Sequence, residues 1–117
     1  MAVRIKRVYE PAAETDGYRI LIDRLWPRGM AREKAHVDKW LRDVAPSTEL
    51  RKWFNHDPEK WKEFCTRYKK ELKGSAAFAE LLKEIKERRS VTLLFGARDE
   101  EHNDAVALLR FIAKKGR

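Results

Sequence analysis

Apolar and polar residues alternate with a period of two at the start of the chain. Over residues 3–9, Val3, Ile5 and Arg7 lie on one side and Arg4, Lys6 and Val8 on the other, and Glu10-Pro11 ends the run. This predicts a strand. Residues 12–17 suit a helical turn before Gly17. YRILIDRL, residues 18–25, reads as a second strand with a continuously apolar centre, Ile20-Leu21-Ile22. VTLLF, residues 91–95, is a later strand of the same kind. Strands that are apolar without interruption are buried on both faces, which favours a parallel sheet with helices on each side.

Between these strands the period changes to that of a helix. Ser47 caps a short helix over 48–54, with Leu50, Trp53 and Phe54 facing inward. Asp57-Pro58 is a second start signal, an N-cap followed by proline in the first helical position. The helix it opens has Trp61, Phe64, Cys65, Tyr68 and Leu72 on one stripe, and Gly74 stops it. Ser75 caps the next helix, which packs through Phe78, Leu81, Leu82 and Ile85. After a polar loop over 96–104, Asn103 or Asp104 caps a last helix with Val106, Leu109, Ile112 and Ala113 inward. Its basic end, Lys114-Lys115-Gly116-Arg117, suits the negative pole of a helix dipole. Residues 36–45, HVDKWLRDVA, fit either a short helix or an irregular third strand. In both cases Val37, Trp40, Leu41 and Val44 point inward.

Composition narrows the class. The 117 residues suit one domain, residues 1–117, whose lean core is enlarged by four Trp, three Tyr and five Phe. A single cysteine, Cys65, excludes an intrachain disulfide, and its place on an apolar stripe predicts a buried thiol rather than a nucleophile. The start lacks the apolar segment of a signal peptide, and no apolar run approaches the ~18 residues that span a bilayer. The expected setting is a reduced cytoplasm, away from membranes. The net charge of +8 attracts polyanions and anionic metabolites.

Ligands of parallel sheets bind beyond the carboxyl ends of the strands. That rule selects the loop over 23–29 and the loop over 96–103, which meet if their strands are central neighbours. Arg24, Arg28 and Arg98 are suited to surround an anion, because guanidinium groups match carboxylate and phosphate with paired hydrogen bonds. The start of the last helix, around Asn103, adds free N–H groups. Asp23 and His102 are the candidates for proton transfer. Trp26 is placed to wall the pocket or stack on a planar ligand. Ser47, Arg51 and His56 join the same pocket if the short helix packs over the sheet edge. Each also has a structural reading: an Asp23–Arg24 salt bridge, a packed Trp26-Pro27 corner, a capping Ser47, and a His102 that only helps cap the last helix.

Other chemistries lack their residues. The chain has no Cys-x₅-Arg loop, Gly-rich phosphate loop or dinucleotide fingerprint. No spacing indicates zinc. Asp23, Asp99 and His102 could hold a divalent ion, yet nothing in their spacing demands one. No metal is assigned, and no cofactor is named by the sequence.

GYRILIDRLWPRG (17–29), APSTELRKWFNHDPEKWKEFCTRYKKEL (45–72) and VTLLFGARDEEHNDAVAL (91–108) carry a resemblance to the YeaO-like branch of a bacterial domain-of-unknown-function family. The match keeps the order and spacing of all three blocks. The resemblance implies an α/β fold, a single three-layer domain with a small, mainly parallel sheet flanked by helices. It also favours extended structure near residues 37–41. Its motif positions fall on Asp23, Arg24, Trp26, Pro27, Arg28, Gly29, Pro46, Ser47, Leu50, Arg51, His56, Trp61, Phe64, Tyr68, His102 and Asn103. Arg98 departs from the lysine the family leads one to expect. The family supplies no activity.

Three functions compete. The first is a small anionic-ligand site, or an enzyme that uses Asp23 or His102 for proton transfer. The second is nucleic-acid binding through Lys60, Lys62, Arg67, Lys69, Lys70, Lys73, Arg88 and Arg89, a surface diluted by Glu59, Glu63, Glu71, Glu84 and Glu87. The third is a protein-interaction domain without catalysis, using the aromatic middle helices.

Overall fold

The computed structural model describes residues 2–115. Four strands form one sheet, β1 (Ala2–Arg7), β2 (Tyr18–Leu21), β3 (Lys39–Trp40) and β4 (Ser90–Phe95), in the order β1-β4-β2-β3. Every ladder is parallel. The two apolar runs therefore lie side by side at the centre, with Tyr18 opposite Val91 and Leu21 opposite Leu94.

Alternation along the strands divides the core. Ile20, Ile22, Val91, Leu93 and Phe95 face a large cluster that contains Leu50, Phe54, Phe64, Tyr68, Leu81 and Leu108. Leu21 and Leu94 face the other way, toward Val8, Ala35 and the rings of Trp26 and Trp40. The first side is covered by α2 (Thr48–Phe54), α3 (Trp61–Leu72), α4 (Ala76–Glu87) and α5 (Asp104–Lys115). The second is covered by loops and the single turn α1 (Arg32–Ala35). The three layers expected from the sequence are present, with unequal depth.

Helix starts follow their capping residues. Ser47 Oγ accepts the Leu50 N–H at 3.1 Å, Ser75 Oγ accepts that of Phe78 at 3.2 Å, and Asn103 Oδ1 accepts that of Val106 at 3.0 Å. Asp57 accepts the Glu59 N–H and opens a 3₁₀ turn, Pro58–Lys60, that runs into α3. Such caps satisfy N–H groups that the helix itself leaves orphaned.

Four expectations change in detail. The second strand ends at Leu21, not residue 25. Ile22 still donates to Leu94 at 3.2 Å, but β3 is only two residues long and leaves nothing further to pair with, so Leu25 is exposed. Residues 36–45 combine both readings, since Lys39–Trp40 is a strand and Arg42–Val44 a 3₁₀ turn. On α5 the buried residues are Ala105, Ala107 and Leu108, while Val106 and Leu109 are half-buried and Ala113 is exposed. Capping at Asn103 rotates the helix so that small alanines meet the sheet and let it approach closely. Cys65 is half-buried, and burial pushes its thiol up. Of the basic end, Gly116 and Arg117 lie outside the described residues. Among the described residues no helix is long and apolar enough to cross a membrane.

A polar network holds the thinly covered side. Asp16 is buried and paired with Arg19 and, at 3.1 Å, with Lys6. The Arg19 guanidinium also donates to the carbonyls of His36 and Ala35 at 3.0 and 2.9 Å. Thr92 Oγ1 donates to the Asp16 carbonyl at 2.7 Å. Between the two, Gly17 has φ +66, and a Cβ there would stand 2.4 Å from the Ser90 carbonyl oxygen. Only glycine fits this position.

Candidate functional site

Because β2 and β4 are parallel neighbours, the loops that follow them leave the sheet at the same edge. They converge. Asp23, two residues past the end of β2, accepts the Gly96 N–H on Oδ2 at 2.8 Å, one residue past the end of β4. The backbone of the same residue is held from the other side, since Trp40 Nε1 donates to the Asp23 carbonyl at 2.7 Å.

A cavity of about 270 Å³ opens beside this clasp. Asp23, Arg24 and Leu25 line it from the first loop, and Ala97, His102, Asn103 and Asp104 from the second. Ala45, Pro46, Arg51, Phe54 and His56 line it from α2 and its flanks, and Phe64 from α3. The buried Phe54 and Phe64 rings, stacked 4.4 Å apart, form an apolar wall, while the exposed Arg51 and His56 stand at the mouth.

The carboxyl groups of Asp23 and Asp104 both line this cavity and interact with each other. Burial raises Asp104 well above the usual carboxylate value, and the charge and hydrogen bond of Asp23 add to the rise. Burial also raises Asp23, against the lowering pull of its hydrogen bonds to Asp104 and Gly96 and of the Arg51 charge. Two ionised carboxylates have only acceptors and repel each other, so the charge of one opposes ionisation of the other. Further backbone contact orders it, as Asp104 Oδ1 accepts the Ala105 N–H at 3.0 Å. Just behind, the buried Tyr68 hydroxyl donates to the Val44 carbonyl at 2.5 Å. Burial raises it well above its ordinary value, with Asp104 and Asp23 adding to the effect.

The cations are held differently. Arg24 makes long hydrogen bonds of 3.3–3.4 Å to the carbonyls of Ala45 and Pro46, and its distance to Asp43 is 3.9 Å. The side chains of Arg51 and His56 form no hydrogen bond or ion pair with the described residues. His56 and the preceding Asn55 both adopt left-handed backbone, with φ of 54° and 45°, where α2 ends. His102 is oriented by two neighbours. Its Nδ1 lies 3.0 Å from Asp99 Oδ2, and its ring meets Trp61 edge-on at 5.3 Å. Asp99 is held below the usual carboxylate range by the N–H of Glu101 and by His102.

Six of the ten residues nominated from the sequence line this cavity: Asp23, Arg24, Arg51, His56, His102 and Asn103. The other four lie outside its lining. Trp26 turns under the sheet, donating from Nε1 to the Met30 carbonyl at 2.7 Å and meeting Trp40 edge-on at 5.4 Å. It is a packed corner. Arg28 and Arg98 are exposed and do not join Arg24, so the expected three-arginine ring is not assembled. Ser47 caps α2 and binds Glu71 through both its N–H and hydroxyl, at 2.9 and 2.5 Å. Asn103, besides lining the cavity, is the cap of α5.

Asp104 was missed as a site residue because its sequence position is that of an ordinary acidic residue at a helix start. The usable signal was topological. It follows a central strand by one loop, as Asp23 follows the other. Among the described residues no three His, Cys, Asp or Glu side chains gather in a metal-holding group.

Comparison with known proteins agrees with the sequence blocks. An uncharacterised protein of Mycobacterium tuberculosis is 44% identical over 110 residues, covering 94% of this chain and 92% of its own length. An uncharacterised protein of Mycobacterium bovis matches to the same extent. YeaO of Escherichia coli, also uncharacterised, is 40% identical over 108 residues, covering 92% of this chain and 94% of its own length. No solved structure matches the chain. Residues 2–116 match the family model described as the inactive DUF488-N3 subclade. The chain therefore belongs to this YeaO-like family of proteins of unknown function.

Proposed function

We propose that the protein binds a small anionic ligand in the cavity at the carboxyl ends of β2 and β4. The observation that carries this reading is the convergence of Arg24 and Arg51, with His56 and His102, on one small cavity. Arg51 is the principal anchor, being at the mouth with a side chain that forms no hydrogen bond or ion pair with the described residues. The upward shift of both Asp23 and Asp104 lowers the negative charge that would oppose an anion. A volume of about 270 Å³ suits a metabolite rather than a polymer. The family's description as inactive agrees with binding without turnover.

Nucleic-acid binding through the helical surface draws less support. Lys60 donates to the Trp53 carbonyl at 2.9 Å, Arg67 pairs with Glu63 at 2.9 Å and Arg88 with Glu84 at 3.2 Å. These cations are already engaged within the chain. The aromatic middle helices offer a partner little, since Phe54, Phe64, Tyr68 and Phe78 are buried.

Titration calorimetry with inorganic phosphate, sulfate and acetate tests the reading. Saturable, salt-sensitive binding that Arg51→Gln weakens about tenfold or more is expected, the effect of losing one charge-assisted pair. Absence of saturable binding at low salt, or an unchanged affinity in the variant, overturns it.

A further inference from the structure

The anion reading leaves the floor of the cavity without a partner for its carboxyl pair. One oxygen of each member is occupied by a backbone N–H, Gly96 on Asp23 and Ala105 on Asp104. Among the described residues no cationic side chain pairs with either carboxyl group. Arg51 acts on Asp23 through its charge alone, and the Arg24 guanidinium is directed at carbonyls. The pair thus presents to the cavity carboxyl oxygens with spare hydrogen-bonding capacity on both members.

A bare anion such as sulfate or acetate has only acceptors and cannot satisfy such a pair. It would also bring like charge toward it. A neutral polyol would satisfy the pair but leave Arg51 unmatched. A hydroxyl both donates and accepts, so it can bind a carboxylate or a carboxylic acid. Besides His56, His102 and Asn103, the remaining lining is apolar, formed by Leu25, Ala45, Pro46, Ala97, Phe54 and Phe64, and accommodates the C–H face of a carbon chain or sugar ring.

Resting on the anion reading, we infer that the ligand is a hydroxylated anion, a sugar phosphate or hydroxy acid. Its anionic group lies toward Arg51 and its hydroxyl groups are read by Asp23 and Asp104. In this arrangement Asp104 is a binding residue and not only the first residue of α5. Selectivity for hydroxylated over plain anions comes from the carboxyl pair, while affinity for the charge comes from the arginines.

The test is calorimetry on the full chain with four probes: ribose 5-phosphate, gluconate, sulfate and ribose. Ribose 5-phosphate or gluconate is expected to bind at least about tenfold more tightly than sulfate, the gain of one hydrogen bond to a charged group. Ribose should bind far more weakly than either. Whichever of the two binds more tightly tells a phosphate from a carboxylate source. Asp104→Asn and, separately, Asp23→Asn should bring the favoured probe down to the affinity of sulfate. Equal affinity for sulfate and both hydroxylated probes in the unaltered protein overturns this inference while leaving the anion reading standing. Failure of every anionic probe to bind overturns both. The comparison among probes needs no variant, so it decides the matter even if a substitution unfolds the chain.

Discussion

Asp23 receives the backbone N–H of Gly96 at 2.8 Å, and this bond ties the loop after β2 to the loop after β4. The approach is close. A Cβ on Gly96 would stand 3.3 Å from Asp23 Oδ2. Removing the acceptor by Asp23→Ala orphans a part-buried N–H, which costs about 1–3 kcal/mol. Part of that loss is returned because Asp104 loses a like-charged neighbour. Asp23→Asn retains an acceptor and should cost less. Urea denaturation orders the three proteins, and an alanine variant as stable as the parent would show that the clasp contributes nothing.

The Asp104 carboxyl has a pH signature of its own. Burial raises its folded-state value well above the ordinary 3.8. The folded state then holds this proton more tightly than the unfolded chain does. The resulting stability is complete below the ordinary value and is lost as pH rises through the raised one. Asp104→Asn cannot ionise and escapes this loss. Its midpoint relative to the parent protein should therefore climb between pH 4 and pH 8. A difference that stays flat over that range would contradict the burial of the carboxyl pair.

Asp16 behaves in the opposite sense. Desolvation by burial pushes its carboxyl up, but hydrogen bonds from the Ala13 N–H, Lys6 and Arg19 outweigh it, and the net shift is downward. Its stabilisation is present above 3.8 and is lost as pH falls through the lowered value. Asp16→Ala strands the buried Arg19 charge and should cost about 3–5 kcal/mol. Asp16→Asn should flatten the acid limb of the stability curve. A variant with an unchanged acid limb would place the acid sensitivity elsewhere.

Two glycines separate conformational strain from steric clash. Gly17 and Gly29 both have positive φ, but only at Gly17 would a Cβ strike the neighbouring strand, at the Ser90 carbonyl. Gly29→Ala should cost about 1–2 kcal/mol, the penalty for a left-handed residue with a side chain. Gly17→Ala should cost at least about 3 kcal/mol, because overpacking adds to the backbone penalty. Thermal melts of both variants check the order, and equal losses would deny the close approach of Gly17 to β4.

The elements were legible because each is announced locally. Ser47, Asp57, Ser75 and Asn103 cap helices where the chain offers them, and YRIL and SVTLLF form the buried central strands. The unbroken apolar character of β2 and β4 marked them as central parallel strands, and their pairing in the fold makes the two loops meet. That reasoning placed Asp23, Arg24, His102 and Asn103 on one cavity, and the packing of α2 added Arg51 and His56.

The direction of each loop side chain was not legible. Trp26 and Arg28 share a heptapeptide with Asp23, yet the packing of Trp26 against Trp40 carries that part of the loop away from the cavity. Asp104 reads as a routine helix start and becomes half of a carboxyl pair only when α5 docks against β1 and β4. By itself the sequence determined strand and helix periods and caps, since these depend on neighbouring residues, whereas the strand order that brings the loops together came from the fold. The tertiary structure alone decided which charged groups face one another, because that depends on contacts between segments distant along the chain, where one rotated helix or one packed indole redirects a side chain altogether.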